Sequence, residues 1–440
     1  MSSREKPSRD GYGAVGGGPP RSPNYKWYIV AMLWWIAFFN YADRQAIFSV
    51  FPLLEKEFHL GPVQLGLLGS AFAWVYGLGA PLAGAIVDRV RRKTAVLGGL
   101  QAWSVICMAT ALARSFPALL FFRAAEGIGE TFYFPASLSL ISDYHARTTR
   151  SRALGFHQTS VYIGTIAGGY FAGLIAEQYG WRWSFLVFGG LGTLLGLVLG
   201  RSLIEPSRGA SDFTGELHTR NIPVSEFLRI LSSTPTAWLL MFAFLCSNFV
   251  AVVLLSWMPK FLFDRFHLSL AAAGLTATAF VQLASMAGSP AGGWLADVLR
   301  RRTPAGRLIV QAIGVFGGAP FVVLCGLTAS QSWLVFALIA WGFFKGLYDA
   351  NIFASLFDVI RPEARGTAAG CMNMVGWLGG GGTAPIVIGY IAQRSSLGLA
   401  IAMAAAVYIA AGALLLTAIF KFVRRDSQRM QEELDAAAKA

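Results

Sequence analysis

Long apolar segments alternate with short polar turns along most of the chain. They fall at about residues 27–50, 62–87, 94–113, 117–141, 152–176, 183–204, 235–259, 270–296, 307–328, 332–359, 366–392 and 396–420. Each approaches or exceeds the roughly 20 residues an α-helix needs to cross a bilayer. The pattern therefore predicts an all-α membrane protein with twelve transmembrane helices. The longest internal polar stretch, 205–232, divides them into two blocks of six. The expected organisation is a tail over 1–26, a six-helix bundle over 27–204, a linker over 205–234, a second six-helix bundle over 235–421 and a tail over 422–440. Residues 1–25 are rich in Arg, Ser, Gly and Pro with no apolar core, which predicts a disordered cytoplasmic tail rather than a signal peptide.

Composition narrows the class. Of 440 residues, 55% are hydrophobic and 13% charged, about half the charged share of an ordinary soluble domain. Too few charges exist to cover a water-soluble fold, and 33 Phe with 13 Trp and 13 Tyr exclude a disordered chain. The net charge of +13 would suggest nucleic acid on a soluble protein. Here the cations sort by position instead. With the N-terminus inside, 27 of the 36 Lys and Arg fall in cytoplasmic segments. The outer loops hold only Lys56, Arg114, Arg182, Lys260, Arg265 and Arg394. This asymmetry predicts a multi-pass protein of the cell's inner (plasma) membrane with both termini cytoplasmic, and no nucleic-acid partner. Cys107, Cys246, Cys325 and Cys371 lie in apolar runs without a paired motif, so they read as small hydrophobes; no metal or other cofactor is expected.

The two halves repeat. The loop after the second segment reads Gly84-x-x-x-Asp88-Arg89-x-Arg91-Arg92-Lys93. The loop after the eighth reads Gly293-x-x-x-Asp297-x-x-Arg300-Arg301-Arg302, 209 residues later. Arg150-x-x-Ala153-x-Gly155 returns as Arg365-x-x-Ala368-x-Gly370 at an offset of 215. Parallel six-span repeats about an axis normal to the membrane are one architecture of secondary transporters.

The repeated loop resembles the signature of the major facilitator superfamily, over essentially residues 27–420. Arg91 departs from the pattern, which usually has a second glycine there. Asn40-Tyr41-Ala42-Asp43-Arg44, Arg123 to Glu130, Gly180-Trp181-Arg182-Trp183-Ser184-Phe185 and Trp257-Met258-Pro259-Lys260-Phe261 resemble the anion:cation symporter family of organic-anion transporters. The stretch Gly66 to Phe72 and the Gly127-Ile128-Gly129-Glu130 block also resemble spinster-like lipid transporters. The resemblance implies two pseudo-symmetric six-helix halves. It implies, too, that Asp43, Arg44 and Glu130 serve proton coupling and substrate binding.

Away from their ends, the predicted spans hold seven acidic or basic residues: Asp43, Arg44, Arg123, Glu126, Glu130, Lys345 and Asp349. Facing lipid, each would cost several kcal/mol, so each should face the bundle interior, a partner or water. Arg123, Glu126 and Glu130 share a helix face by their spacing of three and four. One base facing two acids lets one acid hold a proton at neutral pH, which a proton-coupled carrier needs. Glu126 and Glu130 are thus expected coupling residues, to which the resemblance adds Asp43, with Arg123–Glu126 as a structural pair. Asp43 and Arg44 point about 100° apart on a helix. Asp43 and Arg123 fall at similar depth, so the expectation is an Asp43–Arg123 pair that leaves Arg44 free to bind a carboxylate or phosphate. A purely structural bridge is the competing reading of Arg44. Lys345 and Asp349 are four apart and can neutralise each other, or serve gating or substrate contact.

The expected substrate lining adds Arg123, Tyr41, Tyr76, Tyr133, Gln158, Tyr162, Asn248, Lys345 and Asn373 to Arg44. The acid-and-base loops suggest an inner gate of Asp88, Arg89, Arg92, Asp297 and Arg301, whose contacts break when the carrier opens inward. Gly376 to Gly382 with Pro385 interrupt the eleventh segment, where small residues allow close helix approach and bending. Taken together, these features predict a monomeric secondary transporter that moves a small organic anion with protons by alternating access. A spinster-like carrier of a lysolipid or other amphipath is the alternative. No Walker loop, HExxH or GxSxG motif marks an ATPase or an enzyme.

Overall fold

A computed structural model describes residues 24–87, 90–145, 147–205 and 224–439. Asp88, Arg89, most of the expected tail over 1–26 and most of the expected linker lie outside the described residues.

Each predicted span contains a helix. They are α1 (Tyr25–Ser49), α2 (Pro62–Val87), α3 (Arg92–Thr110), α4 (Phe116–Thr131, continued by Tyr133–Tyr144), α5 (Arg147–Tyr179) and α6 (Trp181–Ser202) in the first half. The second half holds α7 (Pro235–Phe266), α8 (Leu270–Arg300), α9 (Gly306–Leu327), α10 (Gln331–Asp349, continued by Ile352–Phe357), α11 (Arg365–Val375 and Ala384–Arg394, joined by a π-helical turn over Gly376–Gly381) and α12 (Leu397–Thr417). Short helices cover Phe51–Phe58, Val224–Ser232 and Val423–Lys439. Among the described residues, nine helices are long and apolar enough by themselves to cross a membrane. The remaining three spans are α1, α3 and α4. Two of these carry the buried charges, and α3 begins with Arg92 and Lys93.

The repeat is visible in the hydrogen bonds. Arg150 donates from Nε to the His145 carbonyl and from Nη2 to the Ser142 carbonyl. Arg365 donates in the same way to the Ile360 and Phe357 carbonyls. Arg92 pairs with Asp143, while Arg300 and Arg307 both pair with Asp358. A further repeat, Phe58-His59-Leu60 and Phe266-His267-Leu268, closes a helix in each half with its histidine in the left-handed region, at φ 52° and 53°. A non-glycine residue rarely adopts that conformation, so its recurrence marks equivalent corners.

The halves meet most closely at the end away from the repeat loops. A Cβ at Gly274 of α8 would overlap the Gly169 carbonyl of α5, and one at Gly66 of α2 would overlap the Pro385 carbonyl of α11. Lys260 of α7 pairs with Glu55 across the same end. At the repeat-loop end, a Cβ added to Gly84, Gly155, Gly293 or Gly370 would meet nothing described within 4 Å. The bundle is therefore closed at the corner end and splayed at the loop end. This explains the pairing of the expected gate. Arg92 and the Arg300–Arg307 pair bond within their own halves. Asp297 is largely exposed and 3.9 Å from Arg307. Among the described residues these loops make no ion pair between the halves; Asp88 and Arg89 of the expected gate lie outside them.

Candidate functional site

A cavity of about 560 Å³ lies between the halves. Helical periodicity builds its walls. Tyr41, Arg44, Gln45 and Phe48 of α1 line it, as do Gln158, Val161, Tyr162 and Thr165 of α5. Both sets follow the i, i+3, i+4, i+7 spacing of one helix face. From the second half come Ser247 and Asn248 of α7, Gln282 of α8, Lys345, Tyr348 and Asp349 of α10, and Asn373 and Trp377 of α11.

Arg44 is the cation at this wall. Its Nε and Nη2 donate to a single oxygen, Oε2 of Glu130, at 3.0 and 2.5 Å. Its guanidinium carbon lies 4.7 Å from the ring centres of Tyr41 and Phe72, 5.0 Å from Tyr76 and 5.3 Å from Trp377. Such faces favour a planar cation. Nη1 of Arg44 and Oε1 of Glu130 have no hydrogen-bond partner among the described residues. Glu130 itself does not line the cavity and is fully buried behind the arginine.

Behind this pair lies a second layer. Arg123 pairs with Glu126 on its own helix, three residues away. Asp43 has no ion pair among the described residues, and its Oδ1 has no hydrogen-bond partner. Carboxylate oxygens of Asp43 and Glu126 and the sulfur of Cys107 lie within 4.8 Å of one another. The expected Asp43–Arg123 bridge is thus replaced by two others, and Arg44 is not free. An i, i+3 partner is always at hand for Arg123, while Glu130 of α4 faces Arg44 of α1 across the helix contact. With all five groups ionised, two cations would face three carboxylates, leaving one surplus negative charge in a site shut off from water. An uncompensated buried charge is strongly unfavourable.

Seven of the ten expected substrate contacts line the cavity: Arg44, Tyr41, Gln158, Tyr162, Asn248, Lys345 and Asn373. Three do not. Arg123 is fully buried in the second layer. Tyr76 lies against the Arg44 guanidinium instead of the cavity. Tyr133 donates to the Leu33 carbonyl at 2.6 Å and lies 2.9 Å from His157 Nε2, which ties it into the first half's core. Lys345 and Asp349 form the expected pair. Gln45, Gln282 and Ser247 were not expected. Gln45 Nε2 donates to the Leu255 carbonyl, whereas Oε1 of Gln282 has no partner among the described residues. The π-helical turn puts Trp377 against Tyr76, with ring centres 5.4 Å apart, and Asn248 donates to its Gly376 carbonyl at 2.8 Å. Such turns interrupt the helical ladder and recur at functional positions. Glu130 and Lys345 are 215 residues apart, the offset of Arg150 and Arg365, so an acid and a base stand at equivalent places on α4 and α10.

The Major Facilitator Superfamily model matches residues 33–381 and 265–439, and the chain belongs to that family. It is a multi-pass membrane protein of twelve helices in two six-helix halves. The chain is 28% identical to a probable anion transporter 4, chloroplastic, of Oryza sativa subsp. japonica, over 87% of this chain and 67% of the relative. It is 29% identical to protein spinster homolog 1 of Homo sapiens, over 89% of this chain and 77% of that protein. It is 25% identical to a hexuronate transporter of Bacillus subtilis (strain 168), over 83% and 88%. A bacterial homolog of the human lysosomal transporter spinster, solved in an inward-facing and occupied conformation, shares the fold with a TM-score of 0.81 at 22% identity, covering 92% of this chain and 99% of that one.

Proposed function

We propose that the protein is a secondary transporter of a small organic anion, a carboxylate or sugar acid, driven by proton symport. The observation that carries this reading is the position of Arg44. It faces the cavity while Glu130, its only ion-pair partner among the described residues, is hidden behind it. A substrate carboxylate at Arg44 competes with Glu130 for the same guanidinium. Once displaced, Glu130 sits buried without a cation and takes a proton. Substrate anion and proton then enter together. The second layer already needs one proton for neutrality, shared between Asp43 and Glu126, and it keeps that proton through the cycle. The names of the anion and hexuronate transporters among the relatives agree with an anionic substrate.

Alternating access follows from the two halves, 27–204 and 235–421, rocking about the cavity. The Lys and Arg asymmetry supports cytoplasmic termini, so the splayed end is the inner one. The carrier acts as a monomer. The spinster relatives and the aromatic lining of Tyr41, Phe48, Phe72, Phe244, Phe353 and Trp377 favour one second reading, a lysolipid or similar amphipath. A thermal-shift screen of the purified protein against carboxylates, sugar acids and lysolipids separates them, because a ligand stabilises the state it binds. Stabilisation by carboxylates or sugar acids that is lost in Arg44→Lys supports the first reading. Stabilisation by lysolipids alone overturns it.

A further inference from the structure

The cavity has a second charged pole, on the other half of the bundle, which the proton exchange at Arg44 leaves unused. Lys345 and Asp349 both line it from α10 and pair through Oδ2 of Asp349. Three observations give this pair a polarity. The Asp349 side chain is 27% exposed and that of Lys345 only 14%, so the carboxylate is the part the cavity sees. Oδ1 of Asp349 accepts no hydrogen bond from any described residue, although a carboxylate has room for several donors. Asp349 is also the last residue of the Gln331–Asp349 helix, whose negative end disfavours a carboxylate. It cannot readily withdraw, because the break that follows is pinned. Asn351 donates to the Gly292 carbonyl at 3.2 Å and to the Leu347 carbonyl at 3.1 Å. In the first half the polarity is reversed, with the guanidinium of Arg44 in front and the carboxylate of Glu130 behind.

We infer that Asp349 is the second recognition point of the substrate. The transported molecule carries an anionic group for Arg44 at one end and a protonated amine or other organic cation for Asp349 at the other. Tyr348 and Tyr408 also line the cavity. Lys345 keeps its bond to Oδ2 while the ligand takes Oδ1. A dianion fits less well, since it would have to strip the more buried Lys345 from its partner. This inference rests on Arg44 being the anion site.

The test uses the purified full-length protein and straight-chain ω-amino carboxylates of increasing length, beside monocarboxylates and dicarboxylates of matching length, with affinities from calorimetric titration. At the best length the amino carboxylate binds at least about tenfold more tightly than the monocarboxylate, and the ratio falls to near one in Asp349→Asn. A dicarboxylate that binds most tightly, with its preference lost in Lys345→Met, overturns the proposal. Should Asp349→Asn fail to fold, the wild-type ratio decides alone, and equal affinity for the amino- and monocarboxylates overturns it. In both cases monocarboxylate binding that depends on Arg44 leaves the anion site standing. Binding by none of the three classes removes that site and this proposal with it.

Discussion

Glu55→Gln removes one side of the ion pair between Lys260 and Glu55, the only one that joins the two halves among the described residues. The Lys260 side chain is 7% exposed, so its charge needs a partner. Breaking a buried pair costs about 3–5 kcal/mol, and an exposed one about 0–1 kcal/mol. Here Glu55 is 37% exposed, and Asp264 remains 2.7 Å from Lys260 as a second acceptor. The loss is therefore near the lower end, about 1.4 kcal/mol, or roughly a tenfold shift towards opening at the corner end. The residues exposed at that end include Gln178 and Ser330, one from each half. Spin labels on cysteines placed there, with Cys246 and Cys371 replaced by Ala, report the separation of the halves. The variant should show a longer-distance population about ten times that of the parent. An unchanged distance distribution in a protein that unfolds at the parent's temperature would refute the reasoning.

Arg44→Lys keeps the charge but loses the two-pronged contact and the flat face between Tyr41 and Phe72. Affinity for a carboxylate should fall by about 2 kcal/mol, roughly thirtyfold, in the same titration, and an unchanged affinity would make Arg44 structural. Glu57 accepts from both terminal nitrogens of Arg182 and from Trp181 Nε1, and these bonds, Arg182 first, hold its carboxyl below its ordinary range. Its stabilisation is therefore present above its unfolded-state range and lost as pH falls through the lower folded value. Glu57→Gln should flatten the acid side of the melting-temperature profile slightly, since the side chain is 39% exposed; an identical acid side would show that the bond contributes nothing.

The twelve spans, the repeat and the charged residues are legible because hydrophobic length and intramembrane charge are properties of the sequence itself. The faces of α1 and α5 are legible for the same reason, since 41, 44, 45 and 48 recur as 158, 161, 162 and 165. Pairing between helices is not. Depth along two helices places Asp43 level with Arg123, but the rotation of each helix about its axis decides which side chains meet. That rotation brings Arg44 to Glu130 and leaves Asp43 without a cation. Tyr133 was expected in the cavity on chemistry alone, and its hydroxyl instead reaches the Leu33 carbonyl. Lys260 counts in the sequence as one of six outer cations, and only the fold sets it opposite Glu55. The Phe-His-Leu corners came only with the backbone, because nothing in a histidine announces a left-handed conformation.

The exchange of Glu130 for a substrate anion at Arg44 is tested most directly by counting protons. The purified protein, weakly buffered near neutral pH, is titrated with the carboxylate that gives the largest thermal shift, while a pH indicator records uptake. The wild type should take up about one proton for each ligand bound, and Glu130→Gln should bind with no uptake. Binding without proton uptake in the wild type, or the same uptake in Glu130→Gln, would contradict the exchange.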